Sequence, residues 1–224
     1  MDRPLLRLLD LYCCQGAASE GYRRAGFDVV GVDLHPQPRY PFEFIQWDAV
    51  AFADLRAHEF DVVHASPPCQ RYSLAQRIQG REHPDLIGPT RDALIAAGVP
   101  YVIENVEDAR PELIDPVTLC GASFGLHTYR HRLFESNVTL TAPDHREHTH
   151  PTVKMGRALE PGDFYHAVGN FSNVQYVRDD LGVPWMNRDG IRECIPPAYT
   201  EFIGAQLLAH ITGQQHQRQA REAA

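Results

Sequence analysis

The sequence predicts an α/β protein with a doubly wound, mostly parallel sheet and a small loop-rich insertion. In the first half of the chain, short apolar runs alternate with helical patterns, as in strands joined by crossover helices. The 224 residues suffice for one large domain, with or without a small appendage, but not for two full-sized domains. With 43% hydrophobic and 22% charged residues, the composition excludes a wholly disordered, collagen-like or coiled-coil chain.

The first half supplies the core of this fold. Strands are predicted in five runs and helices in three, namely strands in 5–12, 27–34, 42–48, 60–66 and 101–106 and helices in 18–26, 49–59 and the end of 83–100. Pro67 and Pro68 end the fourth strand, because proline cannot donate to a central ladder. Ligands of such a sheet are expected at the carboxyl ends of its strands.

The second half has a different pattern. Short strands are expected in 120–126 and 131–140, and residues 141–190 are rich in Gly, Pro, His, Asn and Asp with little periodicity. The run 195–211 places proline at a helix start, so it should form a helix that packs on the sheet. The predicted division is a main domain over 1–136, an insertion over 137–189, a closing helix over 190–212 and a polar tail over 213–224.

Cysteine usage and hydropathy indicate a soluble, cytoplasmic protein. There is no membrane-length apolar run and no signal-peptide pattern at the start. The five cysteines are odd in number and show no two-residue spacing, which favours reduced thiols.

The charge balance argues against a broad nucleic-acid surface but leaves room for a local one. The net charge is −8 and the pI is about 5.8, whereas phosphate contacts require Lys and Arg. Arg71, Arg77 and Arg81 nevertheless lie in one stretch that has no acidic residue. We expect these arginines to form a local basic surface.

The most informative segment is DVVHASPPCQRYS at 61–73. Cys69 lies in a turn directly after a buried strand, where an α/β fold can present a nucleophile. The alternative is a buried structural cysteine. The run PPCQ followed by Ser73 resembles the nucleophile motif of the DNA (cytosine-5) methyltransferases.

Other segments resemble further motifs of that family, in the family's order. They are the cofactor loop and acidic strand end in LDLYCCQGAASEGYRRAGFDVVGVD (9–33), WDA at 47–49, the Glu-Asn-Val of YVIENV (101–106), the arginine motif in YRHRLFE (129–135) and the closing motif in IPPAYTEFIGAQLL (195–208). The chain is thus similar to a short phage or bacterial-type member, over about residues 5–136 and 190–211.

The resemblance implies a Rossmann-like, S-adenosylmethionine-dependent methyltransferase that acts on a flipped-out cytosine of double-stranded DNA. Cys69 would add to ring carbon 6, and Glu104 would act as an acid at ring nitrogen 3. Arg130 and Arg132 would hold the carbonyl oxygen of the base and a nearby phosphate. The alternatives are an ordinary ion pair for Glu104 and a solvated pair for the arginines.

The implied cofactor is S-adenosylmethionine, and the sequence lacks the G-x-G-x-x-G of an NAD site. By family position Tyr12 packs on the adenine, Gly16 allows close backbone approach, Asp33 binds the ribose and Asp48 contacts the adenine amino group. Pro67 also belongs to the predicted cofactor site. Tyr12 could equally be a core residue and Asp33 a plain turn residue.

Four residues depart from the family pattern near the predicted donor site. Cys14 and Gln15 stand where glycine and a small residue are usual, and Arg192 and Glu193 replace Gly-Asn before the closing Pro-Pro. We expect all four to surround the methionine end of the donor. Arg192 would either pair with Glu193 or face an anionic group on a modified donor.

The insertion occupies the position of the family's target-recognition region, and the Arg71, Arg77 and Arg81 loop would close over DNA. The composition of 168–178 suits recognition of bases and phosphates, or a surface hairpin. His145, His148 and His150 form no common zinc spacing and have no cysteine nearby in sequence, so we predict a solvated loop and no metal.

Two other functions remain open at this stage. The same chemistry could use a modified donor or an RNA substrate. A chain of a different class would be a catalytically weak regulator that binds DNA or cofactor. The presence of Cys69 and Glu104 argues against the regulator.

Overall fold

The computed structural model describes residues 5–69, 85–153 and 157–222, with side chains described up to residue 215. The strands are β1 Arg7–Leu11, β2 Asp28–Asp33, β3 Glu43–Gln46, β4 Val62–Ala65, β5 Tyr101–Asn105, β6 Val117–Leu119, β7 Arg132–Ser136, β8 Thr152–Val153 and β9 Phe164–Tyr165. The helices are α1 Ala17–Ala25, α2 Ala49–Arg56, α3 Ile87–Ala97, α4 Val174–Leu181, α5 Arg188–Glu193 and α6 Pro197–Glu222.

The predicted doubly wound sheet is confirmed. Seven strands follow the order β3-β2-β1-β4-β5-β7-β6, and only β7 runs antiparallel to its neighbours. The chain leaves β1 for β2 on one side, and β4 pairs with β1 on the other. This reversal of direction opens a crevice beyond the carboxyl ends of β1 and β4.

Two apolar layers cover the two faces of the sheet. On one face Leu9 of β1 packs with the cluster that contains Phe52 of α2 and Leu94 of α3. On the other face Leu8 packs with the cluster of Tyr22 from α1 and Tyr199 from α6. The alternation of successive strand residues between the faces explains why the parallel strands are apolar throughout.

The closing helix is longer than predicted. It starts at Pro197 as expected but continues to Glu222, through the segment for which a polar tail was expected. Gln, Arg, Ala and Glu dominate that segment, and all four are good helix formers that need no buried face to continue a helix.

Two local predictions in the second half are wrong. Residues 120–126 do not form a strand, because Gly121–Phe124 is a 3-10 turn that ends at Gly125 with φ 75°. A Cβ on Gly121 would lie 2.0 Å from the Thr128 carbonyl oxygen, so the backbone at 121 packs directly against the backbone at 128 and leaves no room for a side chain. The segment 168–178 is not a hairpin, since it leads into helix α4.

The insertion has more internal packing than its composition suggested. Phe171, Val177, Leu181, Met186 and Ile191 are buried in one apolar cluster. The short helix α5 was not predicted. In the part of the chain that the structure describes, no helix is long and apolar enough to cross a membrane.

We predict that the contact between α1 and α6 depends on the absence of a side chain at Gly21. A Cβ there would lie 2.0 Å from Thr200 Oγ1 and 2.2 Å from the Pro197 carbonyl oxygen. Gly21→Ala should therefore lower the free energy of unfolding in urea by about 1–3 kcal/mol. Gly88→Ala, in α3, is the matched control, because a Cβ there meets nothing within 4 Å. Equal effects of the two substitutions would contradict this account of the helix contact.

Candidate active site

Two loops meet at the crevice between β1 and β4. Leu11 pairs with Ala65 in the sheet, and the Ser66 backbone N–H donates to the Leu11 carbonyl oxygen at 3.2 Å. The loop after β1, which contains Tyr12 to Gly16, therefore lies beside the Pro-Pro-Cys turn after β4. The two sequence motifs that predicted cofactor and nucleophile are neighbours in space.

Asn105 holds the nucleophile turn in place. Its side-chain amide donates to the Pro67 carbonyl oxygen at 2.9 Å, and its Oδ1 accepts from the Val106 backbone N–H at 2.9 Å. Asn105 is buried at the end of β5, so the bond is shielded from water. The Asn of the Glu-Asn-Val motif thus positions the backbone that leads to Cys69.

The predicted residues Cys69, Glu104 and Arg132 form one electrostatic cluster. Cys69 is partly exposed, and burial raises the pKa of its thiol. Glu104 raises this thiol pKa further, whereas the Arg132 guanidinium lowers it. The fraction of thiolate at Cys69 therefore depends on both neighbours.

Glu104 is a buried carboxyl with an unfilled acceptor. Its Oε1 lies 3.0 Å from Arg132 Nε, yet it has no aligned hydrogen-bond partner among the described residues. Burial raises the pKa of Glu104, and this effect is opposed by Arg132 and by a hydrogen bond with Ser66. A carboxyl in this state can donate or accept a proton at a ligand placed beside Cys69.

The Arg130 side chain, which was expected to face the base, has backbone partners in the structure. Its Nε donates to the Cys194 carbonyl oxygen at 2.8 Å and its Nη2 to the Arg192 carbonyl oxygen at 2.6 Å. The guanidinium thus binds orphan carbonyls at the end of α5. Arg132 instead contacts Glu104, with Nε 3.0 Å from Oε1.

A buried polar chain behind Glu104 was missed in the sequence. Tyr22 Oη lies 2.9 Å from His64 Nδ1, and His64 Nε2 lies 2.8 Å from Ser66 Oγ. Burial lowers the pKa of His64 to about 3, so its imidazole is neutral at pH 7. The sequence does contain a clue, since a histidine interrupts the otherwise apolar strand β4.

The loop after β1 is shaped for close approach. Asp33, at the end of β2, accepts from the Cys14 backbone N–H at 3.1 Å and from the His35 backbone N–H at 2.9 Å. Gly16 has φ 82°, and a Cβ there would lie 2.9 Å from the Tyr40 ring. Asp33 therefore closes the loop, and glycine is the residue that fits position 16.

An apolar surface lies beside the predicted carboxylates. Leu34 and Trp47 directly follow and precede Asp33 and Asp48, and they are 57% and 49% exposed. The Trp47 backbone N–H donates to the Asp33 carbonyl oxygen at 3.0 Å, which brings the two segments together. Exposed apolar side chains next to carboxylates fit a nucleoside, whose base is flat and whose ribose donates hydrogen bonds.

Three predicted cofactor residues also have local structural partners. The Tyr12 ring packs against the core, and its hydroxyl lies 2.8 Å from Thr90 Oγ1. Asp48 is exposed and caps α2 by accepting from the Ala51 backbone N–H at 2.9 Å. Pro67 is buried and contributes its carbonyl oxygen to the bond with Asn105.

Two of the four departures from the family pattern, Gln15 and Arg192, have partners that the sequence did not predict. The Gln15 side chain exchanges two hydrogen bonds with Asn187, at 2.8 and 3.1 Å. Arg192 pairs with Asp189 at 2.6 Å and not with Glu193. Gln15 thus ties the loop after β1 to the start of α5, and Arg192 belongs to a half-exposed helix pair.

The remaining predicted residues divide into two groups. Arg71, Arg77 and Arg81 lie outside the described residues. His145 and His148 are brought beside Cys120 and His131, whereas His150 stacks on Phe164. The cysteine that was absent from the neighbouring sequence is therefore present in the neighbouring structure.

Comparison with known proteins yields similar chains of one class. No family model matches. The chain is 38% identical over 69 residues to "Probable DNA (cytosine-5)-methyltransferase" of Frog virus 3 (isolate Goorha), a match that spans 30% of this chain and 31% of that protein. It superposes with TM-score 0.66 and 15% identity on a candidate DNA modification methyltransferase encoded within an E. coli prophage, covering 93% of this chain and 99% of that one.

The fold is that of the S-adenosylmethionine-dependent methyltransferases. The chain spans less than a third of the length of the viral methyltransferase that it matches.

We predict that Glu104 controls the reactivity of Cys69. In Glu104→Gln a negative charge beside the thiol is removed, so the Cys69 pKa should fall. Iodoacetamide labelling of the Cys69 peptide, followed by mass spectrometry, should show its midpoint at lower pH than in the wild type.

The control for this experiment is Glu43→Gln, which changes an exposed carboxylate on the edge strand β3. It should leave the labelling midpoint unchanged. A circular dichroism melt confirms that each variant is folded. An unchanged midpoint in a folded Glu104→Gln variant would mean that the charge of Glu104 does not affect the pKa of Cys69.

Proposed function

We propose that this chain is a DNA cytosine-5 methyltransferase that forms a covalent bond between Cys69 and the target base. The observation that carries the proposal is the cluster of Cys69, Glu104 and Arg132 beside the loop after β1. A thiol, a buried carboxyl with a raised pKa and a buried guanidinium are the groups that this reaction requires.

The need for Cys69 comes from the chemistry of cytosine, whose carbon 5 is a poor nucleophile. The Cys69 thiolate adds to ring carbon 6, and the electron pair of the carbon 5–carbon 6 bond becomes available at carbon 5. Bound S-adenosylmethionine supplies the electrophilic methyl group. A base then removes the proton from carbon 5, the ring double bond returns and Cys69 leaves as a thiolate.

Glu104 assists the addition step by giving a proton to ring nitrogen 3. Its raised pKa keeps a protonated fraction at higher pH than an ordinary carboxyl. Protonation of Glu104 also removes the negative charge that raises the thiol pKa of Cys69. The acid form of Glu104 therefore favours the thiolate form of Cys69, and both are the forms that react.

Arg132 and the buried polar chain act as positioning groups. Arg132 lies 3.0 Å from Glu104 and partly offsets the cost of charge in this buried site. The chain of Tyr22, His64 and Ser66 fixes the other side of the carboxyl. We assign the role of orienting the base carbonyl to Arg132 alone, because Arg130 binds backbone carbonyl oxygens.

The proposed donor is ordinary S-adenosylmethionine. Leu34 and Trp47 would pack on its adenosine, with Asp33 at the ribose and Asp48 near the adenine amino group. Gly16 would give its methionine part access to the backbone. The pairing of Arg192 with Asp189 supports this choice, because it gives the Arg192 charge a partner within the chain.

The proposed substrate is double-stranded DNA. A cytosine must leave the helix stack to reach Cys69, because its reacting face is inaccessible within a duplex. We assign phosphate contacts to Arg71, Arg77 and Arg81 and target recognition to the insertion at 137–189. A local arginine surface is needed because the net charge of the chain is −8.

We predict that Cys69→Ser abolishes methyl transfer, since a serine hydroxyl is not ionised at neutral pH. Tritiated methyl incorporation into duplex DNA should fall below a few per cent of the wild-type rate. Binding of S-adenosylmethionine, measured by calorimetry, should be retained and serves as the control for folding.

Wild-type enzyme should also form a denaturant-resistant adduct with DNA that carries 5-fluorocytosine in the target, because fluorine cannot leave as a proton. An active wild-type enzyme that forms no adduct would exclude the covalent route.

We predict that Glu104→Gln changes the pH profile of kcat/KM. In the wild type the rate should fall as pH rises through the raised pKa of Glu104, because the acid form is lost. The glutamine variant should lose this falling limb and be slower by about 10²–10⁴-fold at the optimum. Glu59→Gln, at an exposed carboxylate, should keep the limb. A falling limb that persists in Glu104→Gln would assign the proton transfer to another group.

A further inference from the structure

A second cluster of ligating side chains lies at the edge of the sheet. The ligand atoms of Cys120, His131, His145 and His148 all lie within 4.8 Å of one another. Cys120 Sγ is 3.5 Å from His148 Nε2, and His131 Nε2 is 3.1 Å from His145 Nε2. Cys120 follows β6 and His131 precedes β7, whereas the other two histidines come from the irregular segment 141–151.

We propose that these four side chains bind a structural zinc ion. Tetrahedral zinc with Zn–N near 2.0–2.1 Å and Zn–S near 2.3 Å separates its ligand atoms by about 3.3 Å between nitrogens and about 3.6 Å between nitrogen and sulfur. The two closest contacts of the cluster approach these separations. One thiolate with three imidazoles is a ligand set that favours zinc over calcium or magnesium.

The three imidazoles of the cluster lie close together, as the ligands of one ion must. The ring centroids of His131, His145 and His148 lie 5.0–5.2 Å from one another. Neutral rings present nitrogen lone pairs that a cation can satisfy.

Surrounding residues fix the orientation of the ligands. Glu107 Oε2 lies 3.0 Å from His131 Nδ1, which leaves His131 Nε2 to face the cluster. A carboxylate on the outer nitrogen of a metal-bound histidine is a common arrangement around zinc. Tyr129 stacks on His148 with ring centroids 3.7 Å apart, and its hydroxyl hydrogen-bonds to the His150 backbone.

The expected role of the ion is structural. Four protein ligands fill a tetrahedral shell, so no position is left for a substrate or water. The ion would cross-link the segment 141–151 to the sheet at the start of the insertion. His131 also accepts, through its carbonyl oxygen, a bond from Arg132 Nη1 at 2.8 Å, so the cross-link adjoins the proposed catalytic cluster. The zinc proposal does not depend on the proposed function, because its test measures bound metal and not activity.

The test is the zinc content of the full-length, tag-free protein. Protein produced with zinc and dialysed should contain about one zinc per chain by mass spectrometry of the metal. His145→Ala and Cys120→Ser should each reduce that content to near zero. His150→Ala is the matched control, because His150 lies in the same exposed segment but outside the cluster, and it should keep the metal.

Two further measurements exclude loss of fold as the cause. Cobalt added to metal-free wild type should give the visible bands of a tetrahedral thiolate site, and His145→Ala should lose them while its circular dichroism remains that of the wild type. A chelator should lower the melting temperature of the wild type and leave that of His145→Ala unchanged. Wild-type protein without zinc or cobalt binding, or equal zinc in His145→Ala and His150→Ala, would overturn the proposal.

Discussion

The buried contact between Glu104 and Arg132 is the constraint on which the site depends. The two residues come from β5 and β7, which pair antiparallel with Asn105 opposite Leu133. Removing one partner of a buried ion pair typically costs about 3–5 kcal/mol, because the other charge is left without compensation. The contact does not saturate Glu104, whose Oε1 lacks an aligned hydrogen bond among the described residues. The same contact therefore connects β5 to β7 and leaves an acid available for chemistry.

The elements of the first half could be predicted because strand and helix patterns are local properties of the sequence. Cys69, Glu104 and Arg132 could be selected because their motifs are short and ordered. The direction of Arg130 could not, since it follows from a backbone φ of 24° and from the carbonyls at the end of α5. The histidine cluster was also hidden, because the sheet brings in Cys120 and His131, which lie apart from the 145–150 run.

Two arginines of this acidic chain are buried in ion pairs within the sheet region. Arg132 of β7 is largely buried and contacts Glu104. Glu135, on the same strand, forms a second buried pair with Arg91 of α3. Both arginines are paired with carboxylates inside the fold and contribute little to a surface for phosphates. Any attraction for a polyanion must therefore come from other parts of the chain.

The contacts of Gln15 limit how the insertion can change in sequence. Trp185 Nε1 donates to the Gln15 carbonyl oxygen at 2.7 Å, and Asn187 binds the Gln15 side chain. The loop after β1 is thus partly built from residues at the end of the insertion. The insertion therefore cannot be replaced as an independent unit without affecting this loop. Grafting a longer segment between 137 and 189 would preserve the loop only if the graft keeps the Trp185 and Asn187 contacts, which limits how this region can diverge.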